Sequence, residues 1–224
     1  MGATITRPRF SASKIQREIQ TMIQVITVER EYGSRGGEFA RLLAQHLKWD
    51  LLDQSLVEEV AKRAGVPAAE ALRRDERLDP WYSKVGRAFW HGSNERATAI
   101  LEQEIFDTTR MTDLAQEVMV EKARAGNCVI VGRGSACALH GVPGCFHTFV
   151  YASTARKIRW FEQAFPDKKA VAERELAATD QRRADYVEHF YHNVWNDYRI
   201  YHLMLNSCMG FDAMIGATIE ATGV

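Results

Sequence analysis

The sequence predicts a single α/β domain, and two strand–turn–helix patterns in its 224 residues support this class. An apolar, β-branched run at 22–28 passes through a glycine-rich turn into a helical pattern. A second apolar run, 128–131, leads into another glycine-rich turn at 132–135. The chain is long enough for one such domain with a sizeable core and a helical insertion.

The first strand–turn–helix stretch, 22–47, is the arrangement that binds phosphate in many proteins. Its turn spans 33–37, and the apolar positions that follow have helical spacing: Phe39, Leu42, Leu43 and Leu47. A helix N-terminus leaves backbone N–H groups unpaired, and glycines let an anion approach them. The common P-loop also has a lysine and a hydroxyl residue, which this turn lacks. Its nearest cations are Arg30, Arg35 and Arg41. A plain connection between strand and helix is therefore an equal alternative.

The next segment predicts a short edge strand at 49–53 and a helix after it. Ser55 and Glu58 have the spacing of a capping box at the start of that helix. Gly65 is expected to end the helix, and Pro67 to begin another.

Aromatic and basic residues alternate over 75–93, which suits either a base pocket or a partner surface. We favour a third interpretation, in which the aromatics pack an irregular segment onto the core. Residues 94–125 then predict one kinked helix or two shorter ones. Ser93 is the expected cap, and Gly126-Asn127 the expected stop.

Arg133 follows the apolar run 128–131 and should lie at the carboxyl edge of the sheet. Ligands of open α/β sheets bind at this edge, and a guanidinium group matches phosphate in two-point contact. The alternative is an arginine that caps the next helix or pairs with a carboxylate. We favour phosphate contact because Arg133 is expected to lie beside the first glycine-rich turn.

The remaining chain predicts a third core strand at 145–151 and a helix capped by Ser153 and ended by Pro166. A helical stretch, 168–195, follows, and then a last strand at 200–205 and a closing helix at 211–221. Within 168–195, three residues share one helix face: Asp180, Arg183 and Tyr186. Such a carboxylate either directs the arginine toward a ligand or forms an ordinary surface ion pair.

The composition limits the classes of molecule that we expect the protein to bind. Lys plus Arg and Asp plus Glu both number 29, and this zero net charge argues against nucleic acid and anionic membranes. No apolar run approaches the length of a membrane span. The cysteines lack paired spacing and sit near apolar runs, so we expect buried, reduced thiols in a cytoplasmic protein: Cys128, Cys137, Cys145 and Cys208. Residues 1–20 form a basic tail, or a short helix that docks on the domain or on a neighbouring subunit.

Three motifs occur in order: R-E-Y-G-S-x-G-G-E after the first strand, V-I-V-G-R-G after a later strand, and T-D-x-x-R-x-x-Y in a late helix. Together they resemble the cytidylate kinase-like family, a branch of the P-loop nucleoside monophosphate kinases. The resemblance implies a three-layer, P-loop NTPase-like fold in which a five-stranded parallel sheet has helices on both faces. It also implies ATP, Mg²⁺ and a small nucleotide acceptor, CMP or dCMP.

On this resemblance, residues 21–224 form one kinase-like domain. Within it, 54–125 is a helical monophosphate-binding insert and 154–195 a lid. The catalytic residues would be Arg35, Asp180 and Arg183. The phosphates would be bound by Tyr32, Gly33, Ser34, Gly36, Gly37, Arg133, Arg156 and Arg182. No metal ligand is assigned.

The first motif departs from its relatives, which often read G-S-G-G-R-E where this chain reads G-S-R-G-G-E. Gly37 thus occupies the position of a cation, and Arg35 lies within the turn. We therefore carry two alternatives to the kinase: a catalytically silent nucleotide-binding module, and an interaction module on the same fold. A homo-oligomer is left open.

Overall fold

The structure is a computed structural model that describes residues 22–65 and 95–224, with the backbone alone described over 95–108. The strands are β1 Val25–Arg30, β2 Asp50–Leu52, β3 Cys128–Val131, β4 Cys145–Tyr151 and β5 Leu203–Asn206. The α-helices are α1 Gly36–Leu47, α2 Gln54–Ala64, α3 Glu95–Ala125, α4 Ser135–Ala138, α5 Thr154–Ala164, α6 Ala172–Tyr191 and α7 Phe211–Thr222. Short 3₁₀ helices cover Pro166–Val171 and Ser207–Met209.

The five strands form one parallel sheet in the order β2-β3-β1-β4-β5. β1 is the central strand, and its residues 25–29 are buried because helices cover both faces. The chain leaves β1 and β3, which are neighbours, through the two glycine-rich turns. Both turns therefore lie side by side at the carboxyl edge of the sheet.

Alternate residues of the strands face two separate cores. Val25 and Ile130 pack with α2 and α3, whereas Ile26 and Val129 pack with α1 and α7. A third cluster packs α6 against Phe149 of β4. This arrangement confirms the expected α/β fold with a five-stranded parallel sheet and helices on both faces.

Several predicted boundaries need correction. Ser55 is not a cap, because α2 begins at Gln54 and the Ser55 hydroxyl donates to the carbonyl of Leu51. Residues 95–125 form one helix, and α6 begins at Ala172 after a 3₁₀ segment. Cys208 is exposed, whereas Cys128 and Cys145 are buried and Cys137 is partly buried. All four thiols are free.

Gly65 ends α2 in a left-handed conformation, as expected. The predictions for Pro67, 75–93, Ser93 and the basic tail 1–20 lie outside the described residues. Among the helices that the structure describes, none is long and apolar enough to cross a membrane.

Candidate active site

A buried serine stabilises the first glycine-rich turn, 33–37, together with the two residues before it. The Ser34 hydroxyl donates to the Glu31 carbonyl at 2.7 Å and accepts from the Gly36 amide at 3.3 Å. Gly33 has a φ of 80° and lies close to α5 and α6, so that a Cβ atom here would come 2.9 Å from Leu176. The side chain of Ser34 therefore shapes the turn and is not directed toward solvent.

Backbone amides at the start of α1 remain available for a ligand. Within the described part of the chain, the amides of Arg35, Gly37 and Glu38 have no hydrogen-bond partner. They lie in the last part of the turn and the first turn of α1, where the helix dipole favours an anion. Their number and position suit a phosphate group of a nucleotide.

Arg35 lies in a surface ion pair. Its guanidinium group donates to the Glu38 carboxylate at 2.7 Å and lies 4.6 Å from the centre of the Phe211 ring. Both charged side chains are about two-fifths exposed, at 44% and 40%. The structure thus places Arg35 apart from the other predicted catalytic residues, Asp180 and Arg183, and its charge is matched by Glu38.

Lys157 lies behind the turn and connects it to two helices. Its ammonium group is 3.1 Å from the Glu31 carboxylate and 3.0 Å from the Asp180 carboxylate. Asp180 also accepts a hydrogen bond of 2.6 Å from the Tyr32 amide, and Glu31 accepts one from the Ala152 amide. Burial lowers the pKa of Lys157, but the two carboxylates outweigh burial and raise it. Lys157 is therefore charged, and it ties the turn to α5 and α6.

The sequence predicted Arg156 as a phosphate-binding residue, but it did not lead us to the neighbouring Lys157. Arg156 is exposed, whereas Lys157 and Phe161 are the buried residues of α5. These two positions are four residues apart and therefore share one face of the helix. The apolar phase of α5 was the available signal, because it places Lys157 on the inward face and Arg156 outside it.

A cavity of about 140 Å³ opens where the strands β1, β2 and β3 end. We call it the arginine pocket, because three arginines line it: Arg30, Arg133 and Arg183. Its other walls are Glu29, Asp53, Val131, Gly134, Tyr186, Val187 and Trp195. The structure thus brings together Arg133 and Arg183, which are far apart in sequence, and adds Arg30, Glu29 and Asp53, which sequence reasoning did not select.

Arg183 is a largely buried cation of this pocket, with 18% of its side chain exposed. Its guanidinium group donates to the Arg30 carbonyl at 2.6 Å and lies 3.9 Å from Asp180. Burial, with the nearby charge of Arg30, lowers the pKa of Arg183 to about 10, so the group stays charged at neutral pH. Tyr186 lies on the same face of α6 and also lines the pocket. Asp180 and Arg183 thus form an ion pair, as one alternative expected, but it is largely buried, with 17% and 18% of the two side chains exposed.

Glu29 is a buried carboxylate at the base of the pocket, with 2% of its surface exposed. It accepts hydrogen bonds from the amide and hydroxyl of Ser135 and from the indole N–H of Trp195. These bonds hold the second glycine-rich turn and the Trp195 ring in place. A single acid at the end of an apolar strand was the only sequence signal for this role.

Arg182 is outside the arginine pocket. One of its terminal nitrogens donates to the Thr179 hydroxyl at 2.8 Å, and its buried Nε has no partner among the described residues. The described residues also contain no cluster of three or more side chains that would hold a metal ion.

Comparisons with known proteins agree with the fold. The family model described as the cytidylate kinase-like family matches residues 25–208. An uncharacterized protein from Eubacterium ventriosum superposes with a TM-score of 0.64 at 19% identity, over 89% of this chain and 98% of that chain. A shikimate kinase from Bacteroides thetaiotaomicron gives 0.50 at 13% identity, over 89% and 98%. At such low identity, these likenesses show the fold. None of the curated proteins compared with the chain matches it.

Proposed function

Because the chain belongs to the cytidylate kinase-like family, we propose that it transfers the γ-phosphoryl group of ATP to a nucleoside monophosphate. CMP or dCMP is the expected acceptor. One observation carries the proposal: three arginines surround one pocket beside a glycine-rich turn with unpaired amides. This combination of donors suits a pair of phosphorylated substrates.

The two sets of donors divide the work. The amides of Arg35, Gly37 and Glu38 bind phosphates of ATP, and Arg133 and Arg183 bind the acceptor and the group in transfer. An oxygen of the acceptor phosphate bonds to the γ-phosphorus while the bond from that phosphorus to its bridging oxygen breaks. ADP leaves with the electron pair of that bond. Positioning and cations supply most of the rate in such reactions.

Mg²⁺ would neutralise charge on the phosphates of ATP when bound. Such an ion is usually held by phosphates, water and one or two carboxylates, so a dedicated protein cage is not required. In this proposal α5 and α6 form the lid.

Calorimetry with ATP and a panel of nucleoside monophosphates, with and without Mg²⁺, tests the proposal together with a coupled assay of ADP release. We expect one or more pyrimidine monophosphates to bind and to stimulate ADP release. Absence of turnover above background with every acceptor would overturn the enzyme activity.

A catalytically silent nucleotide-binding module is the second candidate. It is favoured by the pairing of Arg35 with Glu38 and of Lys157 with two carboxylates, which leaves the turn without a free cation among the described residues. This candidate predicts that ATP or CMP raises the melting temperature but is not consumed.

A further inference from the structure

Arg30 is the last residue of β1, and both glycine-rich turns are shaped around its side chain. A Cβ atom at Gly132 would lie 1.8 Å from a terminal nitrogen of Arg30. A Cβ atom at Gly36 would lie 2.5 Å from the Cβ of Arg30. Any larger residue at either position would displace the arginine. The guanidinium group is therefore held against the backbone of the second turn, at the wall of the arginine pocket.

Among the residues that the structure describes, this guanidinium group has no counter-ion. Among the described residues, the Arg30 side chain has no hydrogen bond and no ion pair. The adjacent carboxylate, Glu29, is occupied by Ser135 and Trp195. Arg183 is close enough for the charge of Arg30 to lower its pKa. Two like charges thus face one cavity, and an anion between them would relieve their repulsion.

A purely structural role does not explain these contacts. A half-buried arginine that stabilises a fold is normally paired with a carboxylate or with backbone carbonyls. Arg30 has neither partner within the described part of the chain, yet it is enclosed too closely for an ordinary surface residue. The combination of enclosure and missing partner points to a ligand.

We propose that Arg30 binds the phosphate of the acceptor together with Arg133, and so sets the specificity of the pocket for a phosphorylated acceptor. This inference rests on the proposed function. Arg30 directly precedes the turn whose amides face the donor, so it holds the acceptor phosphate next to the group in transfer.

The test compares Arg30→Gln and Arg30→Lys with Arg41→Gln, which removes the same charge from an exposed position on α1. For Arg30→Gln we expect the KM of the acceptor to rise about 30-fold, the loss typical of one charge-assisted hydrogen-bonded contact. The KM of ATP should change by less than about threefold, the size of a surface charge effect. Arg30→Lys should recover part of the loss, and Arg41→Gln should resemble the wild type.

A second readout separates binding from packing. If Arg30 only packs, Arg30→Ala should impair both substrates equally and should not respond to added guanidinium ion. If it binds phosphate, low concentrations of guanidinium should restore part of the acceptor affinity, because the cation can refill the space beside Gly132.

Calorimetry with a nucleoside monophosphate and with inorganic phosphate distinguishes the possible failures. If wild type and Arg30→Gln bind the monophosphate equally, the role of Arg30 is overturned and the proposed function stands. If wild type binds only inorganic phosphate, and Arg30→Gln does not, the role of Arg30 as an anion ligand stands and the nucleotide acceptor is lost. If wild type binds neither, both are overturned.

Discussion

The two glycine-rich turns leave neighbouring strands and differ in the donor groups that surround them. Around the first turn every charged side chain is matched: Arg35 pairs with Glu38, and Lys157 pairs with Glu31 and Asp180. Around the second turn, Arg133 shares a pocket with Arg30 and Arg183, and the buried acid there is already hydrogen-bonded. The first turn offers backbone amides, whereas the second offers guanidinium groups.

This difference indicates which of the two turns should determine the selectivity for substrates. Amide donors are fixed by the backbone and recognise any phosphate that fits the turn. Guanidinium groups depend on individual side chains, and single substitutions remove them. We therefore expect substitutions around the second turn to affect activity strongly and those around the first turn to affect mainly stability, if they have an effect at all.

The largest effect is expected from Arg183→Ala. It removes a mostly buried cation that also fixes the Arg30 carbonyl, so kcat/KM should fall by about 10² to 10³, as for loss of one preorganised donor. The coupled assay of ADP release measures it. Arg174→Ala, an exposed change on the same helix, is the control and should be neutral. Equal activity of the two variants would contradict a catalytic arginine pocket.

The next effect concerns stability. Lys157→Met leaves Glu31 without its cation and Asp180 with only the more distant Arg183, 3.9 Å away, and the free energy of unfolding should fall by about 3 kcal/mol. Urea denaturation measures the change. Arg156→Met, the exposed neighbour, should shift the midpoint little. If both variants unfold alike, the first turn is not held by this ion cluster.

A pH titration distinguishes a loss of folding stability from a loss of positive charge in the arginine pocket. His147 is buried in β4 and hydrogen-bonded to Thr27, and burial, with the nearby charges of His202 and His140, lowers its pKa from 6.5 to about 4. The unfolded chain therefore takes up a proton first as the pH falls below 6.5, and stability is lost down to about pH 4.

Between pH 7 and pH 5 this linkage should cost about 2 kcal/mol of unfolding free energy in the wild type. Urea denaturation at both pH values should show the loss in wild type and in His46→Gln, an exposed control, but much less in His147→Gln. Arg183, with a pKa near 10, stays charged throughout. An equal pH dependence in all three proteins would rule out His147 as its source.

The smallest effect is expected from Arg35→Gln. Because its charge is matched by Glu38 at the surface, the KM of ATP should change by less than about threefold. Glu38→Gln removes the other half of the pair and should behave similarly. A hundredfold rise of KM in Arg35→Gln alone would show that the first turn binds ATP through a side chain, and the contrast between the turns would fail.

The sequence allowed much of the fold to be predicted, because buried parallel strands are short apolar runs and glycines mark their ends. Residues 145–151 were predicted as the strand observed. β1 was placed too early, at 22–28, because Glu29 and Arg30 looked polar although they end the central strand. Local sequence patterns do not reveal that a carboxylate at such a position will accept hydrogen bonds from Ser135 and Trp195.

The candidate site was predicted only in part for a similar reason. Arg133 and Arg183 followed from motifs, and the structure brings them into one pocket. Arg30 and Asp53 join them only because β1, β2 and β3 end together, which depends on strand order. To predict the role of Lys157, one must know which face of α5 is buried as well as the sign of the charge. The roles of these residues in binding are predictions for the experiments above.

The close approach of Arg30 to Gly132 also restricts how related chains can vary. A side chain at 132 and a long side chain at 30 cannot occupy the same space. A residue larger than glycine at 132 would displace the end of a long side chain at 30 and would also have to adopt a φ of 71°, which favours glycine. The two positions, about a hundred residues apart in the printed sequence, should change together during evolution.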